Sequence, residues 1–461
     1  MRSKWETFTL DDVCLKITDG AHNSPKSVKI GKPMASVKDL TTFGVDLSNA
    51  RLIDIEEYEK LVKQGCQPQV NDVLIAKDGN SALDTVCVVR EPLDAVMLSS
   101  VAILRPDDNK LDPYYLKYYF SSKTIISYLK RNFISGAAIP RVVLRDFKKA
   151  EIFLPPLNKQ KAISQVLRSL DDKIELNRKM NQTLEEMAQA LFKSWFVDFD
   201  PVHVKAKCKS EQELEVAAAK LGISKEILDL FPSEFEESEM GMIPLGWEVK
   251  PFGELLSKTI GGDWGKEEPD AKHTEKVKII RGTDIPKIKN ISIEAVPTRY
   301  VEAKKLKTRE LFDGDIVIEV SGGTKNQPTG RTLYITNEVL NMLGGKVEPA
   351  SFCRLFRPIN AEIGLILGQH MLHIYDQGKT WQYQNQSTGI SNFQTTIFLE
   401  KENIIVPDTK VLNEFYKIVR PLIEKSLSSE NITLQKTRDI LLTKLLSGEL
   451  DVPEVEQEKV I

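Results

Sequence analysis

The chain has 461 residues, 63 Lys and Arg against 66 Asp and Glu, and a formal net charge of −3. That length exceeds what one hydrophobic core usually serves, and the charge balance excludes a protein that merely coats nucleic acid, which would be basic overall. No stretch approaches the roughly 18 to 20 apolar residues of a membrane span, the opening MRSKWETFTLDDV lacks a signal-peptide core, and the five cysteines (Cys14, Cys66, Cys87, Cys208, Cys353) are scattered without metal-ligand spacing, so a cytoplasmic protein with reduced thiols is expected.

Residues 1–156 read as a first module of mixed α and β. Asp72–Ala76 is a short β-rich run that ends at a turn signal, Gly79. Val96–Leu104 is a further strand candidate, and Tyr114–Leu129 reads as one helix. Pro155-Pro156 stops the last strand, because proline lacks the ladder donor.

Residues 157–203 form a central helical region. Ile163, Leu167, Leu170, Ile174, Asn177, Asn181, Leu184, Ala188, Leu191 and Trp195 alternate at spacings of four and three, a heptad seam that needs a partner helix to bury it. A helix over Asn158–Phe196 would be about 57 Å long at 1.5 Å per residue. Its mid-seam asparagines either fix register and orientation or leave a solvated gap. Residues 204–246 are expected to be a linker, with a short helix over Glu211–Leu221 and an exposed acidic stretch over Ser233–Glu239.

The second module, 247–406, repeats the first. Asp315–Val320 is its β-rich run before Gly322-Gly323, and Ile363–Tyr375 is a shorter counterpart of the first module's helix. Residues 407–449 are the distal helical region, with Phe415, Val419 and Leu422, then Leu434, Arg438, Leu441 and Leu445, on its seam. Pro421 is expected to end or kink its first stretch, and Ser426–Ser429 is polar. A tail, 450–461, closes the chain.

The repeat is visible residue by residue. Trp5-Glu6 matches Trp247-Glu248, and the frame holds to Gly20 and Gly262. Asp39 falls opposite Asp284, Asp72 opposite Asp315, Arg105-Pro106 opposite Arg357-Pro358, Ile152–Pro156 opposite Ile404–Asp408, and Asn181–Leu184 opposite Asn431–Leu434. The fold expected is mixed α/β (α+β): two modules separated by two long helices packed as an antiparallel coiled coil, related by a pseudo-twofold repeat. Ile163, Leu167, Leu170, Ile174, Asn177, Asn181, Leu184, Leu191 and Trp195 would pair with Leu434, Leu441 and Leu445.

Catalytic motifs are missing. Pro155-Pro156 lacks the acid or amide before it and the aromatic after it that an amino-methyltransferase motif needs. Gly322–Lys325 is not a phosphate-binding loop. Asp315 is followed by Glu319-Val320-Ser321, with serine where a metal nuclease would place lysine. His370 and His373 could share a helix face, without the carboxylate or cysteine neighbours of a metal site. No catalytic residue and no metal ligand is expected.

Both modules do offer polar, glycine-punctuated loops at matching places, with donors suited to phosphates and base edges. The DNA-facing candidates are Lys38, Lys77, Asn80, Ser81 and Arg141 in the first module. In the second they are Arg281, Thr283, Ser321, Thr324, Lys325, Gln384, Asn385, Ser387, Thr388 and Asn392. The loops differ, GAAIPR against QNQSTGISN, so the modules would read different half-sites of a split, non-palindromic target with an unread spacer.

The stretch Leu154-Pro155-Pro156-Leu157 with Lys159-Gln160 and Ile163, followed by the helix ending Ala190–Phe196, resembles the central conserved region of type I restriction–modification specificity (S) subunits. Phe231-Pro232, Ser238–Gly241 and Ile243–Glu248 do so too, and Leu441–Gly448 is similar to that family's distal conserved region. The resemblance implies two target-recognition domains, a helical ruler between them, and docking of two methyltransferase (M) subunits and of restriction/translocase (R) subunits on double-stranded DNA. S-adenosylmethionine, ATP and magnesium would sit on those partners, and this chain would be non-catalytic. Asp408 in place of the second proline, and the missing Lys-Gln pair in the distal copy, make symmetric docking approximate. The alternatives are a specificity subunit of a methylation-only or phage-defence complex without nuclease, a protein-only scaffold, and an enzyme in its own right. Genomic neighbours, DNA binding with the cognate methyltransferase, and an assay with methyl donor separate them.

Overall fold

The apolar runs marked by the repeat become the centres of two sheets with one strand order. The computed structural model describes residues 5–79, 82–135, 140–324, 326–387 and 390–453. Val73–Ala76 is a strand buried at all four residues. It lies between Val86–Val88 and Val101–Pro106, and Cys14–Asp19 pairs with the far side of Val101–Pro106. The second copy sets Leu256–Gly261, Cys353–Pro358, Ile316–Glu319 and Thr332–Tyr334 in the same order, again antiparallel throughout. A three-stranded sheet accompanies each. Its middle strand, Lys32–Ala35 or His273–Ile280, pairs antiparallel on one side and parallel on the other. Each module also joins its first strand to its last: Glu6–Thr9 to Glu151–Leu154, and Glu248–Pro251 to Asn403–Val406.

The repeat is chemical as well as topological. Arg105 Nε and Nη2 donate to the two oxygens of buried Asp72, both at 2.8 Å. Arg357 does the same to buried Asp315 at 2.8 and 2.7 Å. Such forked, charge-assisted pairs lock one strand onto the turn before its neighbour. The carboxylates also accept the backbone N–H of Gln69 and of Phe312, each at 2.7 Å. Gly20 and Gly262 are matched for a steric reason. A Cβ at either would lie 2.1 Å from a backbone oxygen, of Met97 or of Pro349, so only glycine lets the loop pass.

The chain divides into two compact units, residues up to Leu176 with those from Thr433 onward, and Asn177–Ile432; the division falls inside the helix Leu157–Phe196. In the first unit, Ile163 and Leu167 share a buried cluster with Leu442 and Leu445 of the helix Glu430–Ser447 and with Val73, Leu104 and Tyr115 of the module. Arg438 Nη1 donates to Asp171 Oδ1 at 2.9 Å. In the second unit, Asn177 Nδ2 donates to Asn431 Oδ1 at 3.0 Å, and Phe192, Trp195 and Phe196 pack on Phe415 of the helix Thr409–Ser426. Within each unit, higher numbers on the long helix meet lower numbers on the distal one. All ten seam positions are buried or half-buried, the two asparagines included, so there is no solvated gap. No helix among the described residues is long and apolar enough to cross a membrane.

Four local expectations are corrected. The distal helix does not stop at Pro421: Thr409–Ser426 runs through it, and the interruption falls at Leu427–Ser429, in the serine-rich stretch, with Leu427 itself buried. Proline costs that helix a hydrogen bond, but buried Val419 and Ile423 flank it, and Arg420 is anchored to Tyr334 Oη at 3.0 Å and Glu424 at 2.6 Å. Tyr114–Leu129 is two helices, Pro113–Tyr119 and Lys123–Phe133, because Asp112 and Ser122 each start one. Their counterpart is the longer element, Ala361–Asp376. The acidic stretch is no plain linker, since Phe235–Ser238 pairs with Gly241–Pro244 as a hairpin, turning at Gly241 with φ of +97°.

Candidate nucleic-acid interface

In each module one end of the four-stranded sheet gathers loops from both sheets. In the first unit that end holds the exit of Cys14–Asp19, the exit of Val73–Ala76, the entry to Val101–Pro106 and the exit of Lys32–Ala35. Ala21 N–H donates to Met97 O at 2.8 Å, Leu98 N–H to Ala35 O at 2.8 Å, and Lys77 N–H to Ser100 O at 2.8 Å, which ties the loops together. Lys38 lies here, exposed on a short turn of helix, Val37–Asp39.

An alternating line of charge crosses this end. His22 Nε2 lies 3.1 Å from Asp19. Lys77 Nζ lies 3.1 Å from Asp19 and 3.4 Å from Asp78. Arg141 Nε lies 3.2 Å from Asp78. The Lys77 side chain is only 6% exposed, so its ammonium holds the two carboxylates in place instead of projecting at a phosphate. His22 and Arg141 remain exposed at the ends of the line. Asp19, His22 and Asp78 were missed in the sequence. The signal was available in the frame that pairs Gly20 with Gly262, which marks the flanking residues as loop-end positions.

The second unit builds the same end from different side chains. Ser321–Gly322, Ile390–Phe393 and Gln384–Ser387 form a small antiparallel sheet, with Ser321 opposite Asn392 and Asn392 opposite Asn385. Directly paired residues share a face, so these three polar side chains form a row. Asn385 and Asn392 are exposed and Ser321 half-buried, whereas the neighbouring Ser391 and Phe393 point inward. Thr324 is exposed in a turn whose N–H donates to Gln327 O at 2.8 Å, and Thr283 is exposed beside Gly282. Two candidates are engaged internally. Arg281 is forked onto Asp284, at 2.8 Å for each nitrogen, and donates to Ala295 O at 2.7 Å. Gln384 accepts from Thr329 N–H at 2.9 Å and donates to Ser391 at 2.9 Å. Both are scaffold. Asn80, Ser81, Lys325 and Thr388, and the side chain of Ser387, lie outside the described residues.

Behind this end, on the strand Lys346–Pro349, stands Glu348, fully buried with neither carboxylate oxygen hydrogen-bonded. Burial, reinforced by Asp263, pushes its carboxyl up to about 7 against the opposing pull of Arg309 and Lys305. His370 and His373 share a helix face, with both rings lying against Phe192, and His370 also meets Glu402 at 2.7 Å.

Each of the two mixed α/β modules, with its donor-rich sheet end, is followed by a helical segment. Residues 2–186 match the family model of the type I restriction modification DNA specificity domain. The chain is 28% identical to the type I restriction enzyme HindI specificity subunit of Haemophilus influenzae, over 97% of this chain and 100% of that protein. It is 27% identical to the MjaIX specificity subunit of Methanocaldococcus jannaschii, over 74% of this chain and 70% of that one. Its fold is similar to that of the type I restriction–modification S subunit from M. genitalium, with a TM-score of 0.53, 16% identity and 96% of both chains covered. Over most of its length the chain is thus similar to specificity subunits of type I restriction–modification systems.

Proposed function

We propose that the chain reads a split DNA target, one half-site per module, and performs no chemistry itself. The observation that carries this is the pair of sheet ends. They share strand order and loop order, yet one presents His22, Lys38 and Arg141 and the other Thr283, Thr324, Asn385 and Asn392. Equal frames with unequal donors suit unequal half-sites, because base edges are distinguished by their donor and acceptor patterns. The heptad seam supports a ruler role for the helices, which would set the unread spacer and dock two methyltransferase subunits, with restriction subunits joining for cleavage. S-adenosylmethionine would then sit on the methyltransferase subunits, and ATP and magnesium on the partners that cleave. The net charge of −3 fits a complex in which partners supply part of the phosphate contact.

The test is to footprint the subunit with its cognate methyltransferase on its target and to insert whole heptads into the long helix. Two protected half-sites whose spacer lengthens with the insertion are expected. One continuous protected site, or a spacer indifferent to the insertion, would contradict the reading.

A further inference from the structure

Phe352 is 65% exposed although the next residue, Cys353, is fully buried at the start of a central strand. Its backbone is fixed. The Phe352 carbonyl accepts from Val320 N–H at 2.9 Å and from Ser321 N–H at 3.3 Å, and Gly262 N–H donates to Cys353 O at 3.0 Å. The ring is therefore mounted firmly at the sheet end, beside the residue that begins the row Ser321, Asn392, Asn385. A phenylalanine left in water forfeits its burial energy, which a ligand covering it would recover. The matching position of the first unit carries no ring: the offset that pairs Arg105 with Arg357 pairs Phe352 with Ser100, whose hydroxyl is buried.

A rigid apolar group next to hydroxyl and amide donors matches one feature of duplex DNA. In the major groove the thymine edge combines a hydrogen-bond acceptor with a C5-methyl group, and no other base offers that methyl. We propose that Phe352 is a specificity-determining residue that packs against the C5-methyl of a thymine in the half-site read by the second module. This rests on the reading of the sheet end as the DNA-reading surface. It goes further by naming the base and the atom.

Deoxyuridine removes only that methyl, so it supplies the test. The target is first selected from a randomised duplex library with the subunit bound to its cognate methyltransferase, and the second module's half is identified as the one altered by Asn392→Ala. Each thymine of that half is then replaced singly by deoxyuridine. One replacement should weaken binding about 4- to 10-fold, and Phe352→Ala should bind the thymine and deoxyuridine duplexes equally. Phe352→Ser, which copies the first module, should behave like Phe352→Ala and serves if the alanine variant folds poorly. Specific binding that no deoxyuridine weakens, a half-site without an A·T pair, or discrimination that survives in both variants would overturn the proposal alone. Loss of all sequence preference in the wild-type complex would overturn the reading beneath it as well.

Discussion

The first unit joins its module to the long helix through charge at Asp171, whereas in the second neutral amides and rings meet the long helix and an ion pair, Arg420 with Asp313, meets the distal one. Lys117, Asp171 and Tyr118 are all buried, with Tyr118 Oη 3.0 Å and Arg438 Nη1 2.9 Å from the Asp171 carboxylate. The offset that pairs Arg105 with Arg357 pairs Lys117 with Gln369. There Gln189 donates to the Gln369 side chain at 2.6 Å, beside Phe192 packed on Phe415. In both, the polar side chain at this contact is given partners, Tyr118 and Arg438 for Asp171 and Gln189 for Gln369, because leaving such a group unpaired is costly.

Removing one member tests how far the joints differ. Asp171→Ala strands Lys117 without its anion and should destabilise the first unit by about 3 to 5 kcal/mol, read by denaturant unfolding and by hydrogen exchange of that unit's amides. The same network predicts an acid limit. Burial works to raise the Asp171 carboxyl, but Lys117 and Arg438 outweigh it and hold it below the ordinary carboxylate value. Its contribution is therefore complete above the unfolded value of about 4 and is lost as pH falls through the lower folded one. Asp171→Asn should lack that portion of the acid dependence.

The next effect belongs to the second unit and has the opposite sign. Glu348, raised to about 7, holds its proton more tightly folded than unfolded. Stability should fall as pH rises from about 5 to 8, by about 2 to 3 kcal/mol, and Glu348→Gln should remove that slope. Unit-resolved hydrogen exchange at pH 5, 6.5 and 8 checks it; a slope shared by both units would show that the joint-level comparison misses the dominant titration. The smallest effect is Gln189→Ala, about 1 to 2 kcal/mol, because it leaves a neutral amide exposed to repacking. A loss equal to that of Asp171→Ala would erase the contrast between the joints.

Much of this architecture was legible in the sequence. The module order, the matched Asp–Arg pairs and the seam from Ile163 to Trp195 were readable because repeats and heptads are local patterns. The distal helix is interrupted in the polar stretch the sequence singled out, Ser426–Ser429, and not ended at Pro421, a strong local signal that the tertiary anchors of Arg420 override. At the candidate site the sequence named loops that the fold gathers at the sheet ends, but it could not sort exposed donors from internally engaged ones. Lys77, Arg281 and Gln384 look like donors in a one-dimensional reading, and only the fold shows Asp19, Asp284 and Thr329 engaging them. Phe352 went unremarked because the exposure of an apolar side chain at a loop end has no sequence signature, whereas His22 was marked only by its place beside the matched Gly20.

The central claim is that two unequal sheet ends read two unequal half-sites, and the most direct measurement of it is a binding selection. The wild-type complex and its Asn385→Ala and Asn392→Ala variants would each be selected against one randomised duplex library. A split motif is expected, in which the variants relax one or two base pairs of a single half and leave the other half and the spacer unchanged. An unbroken motif, or relaxation spread equally over both halves, would contradict the account.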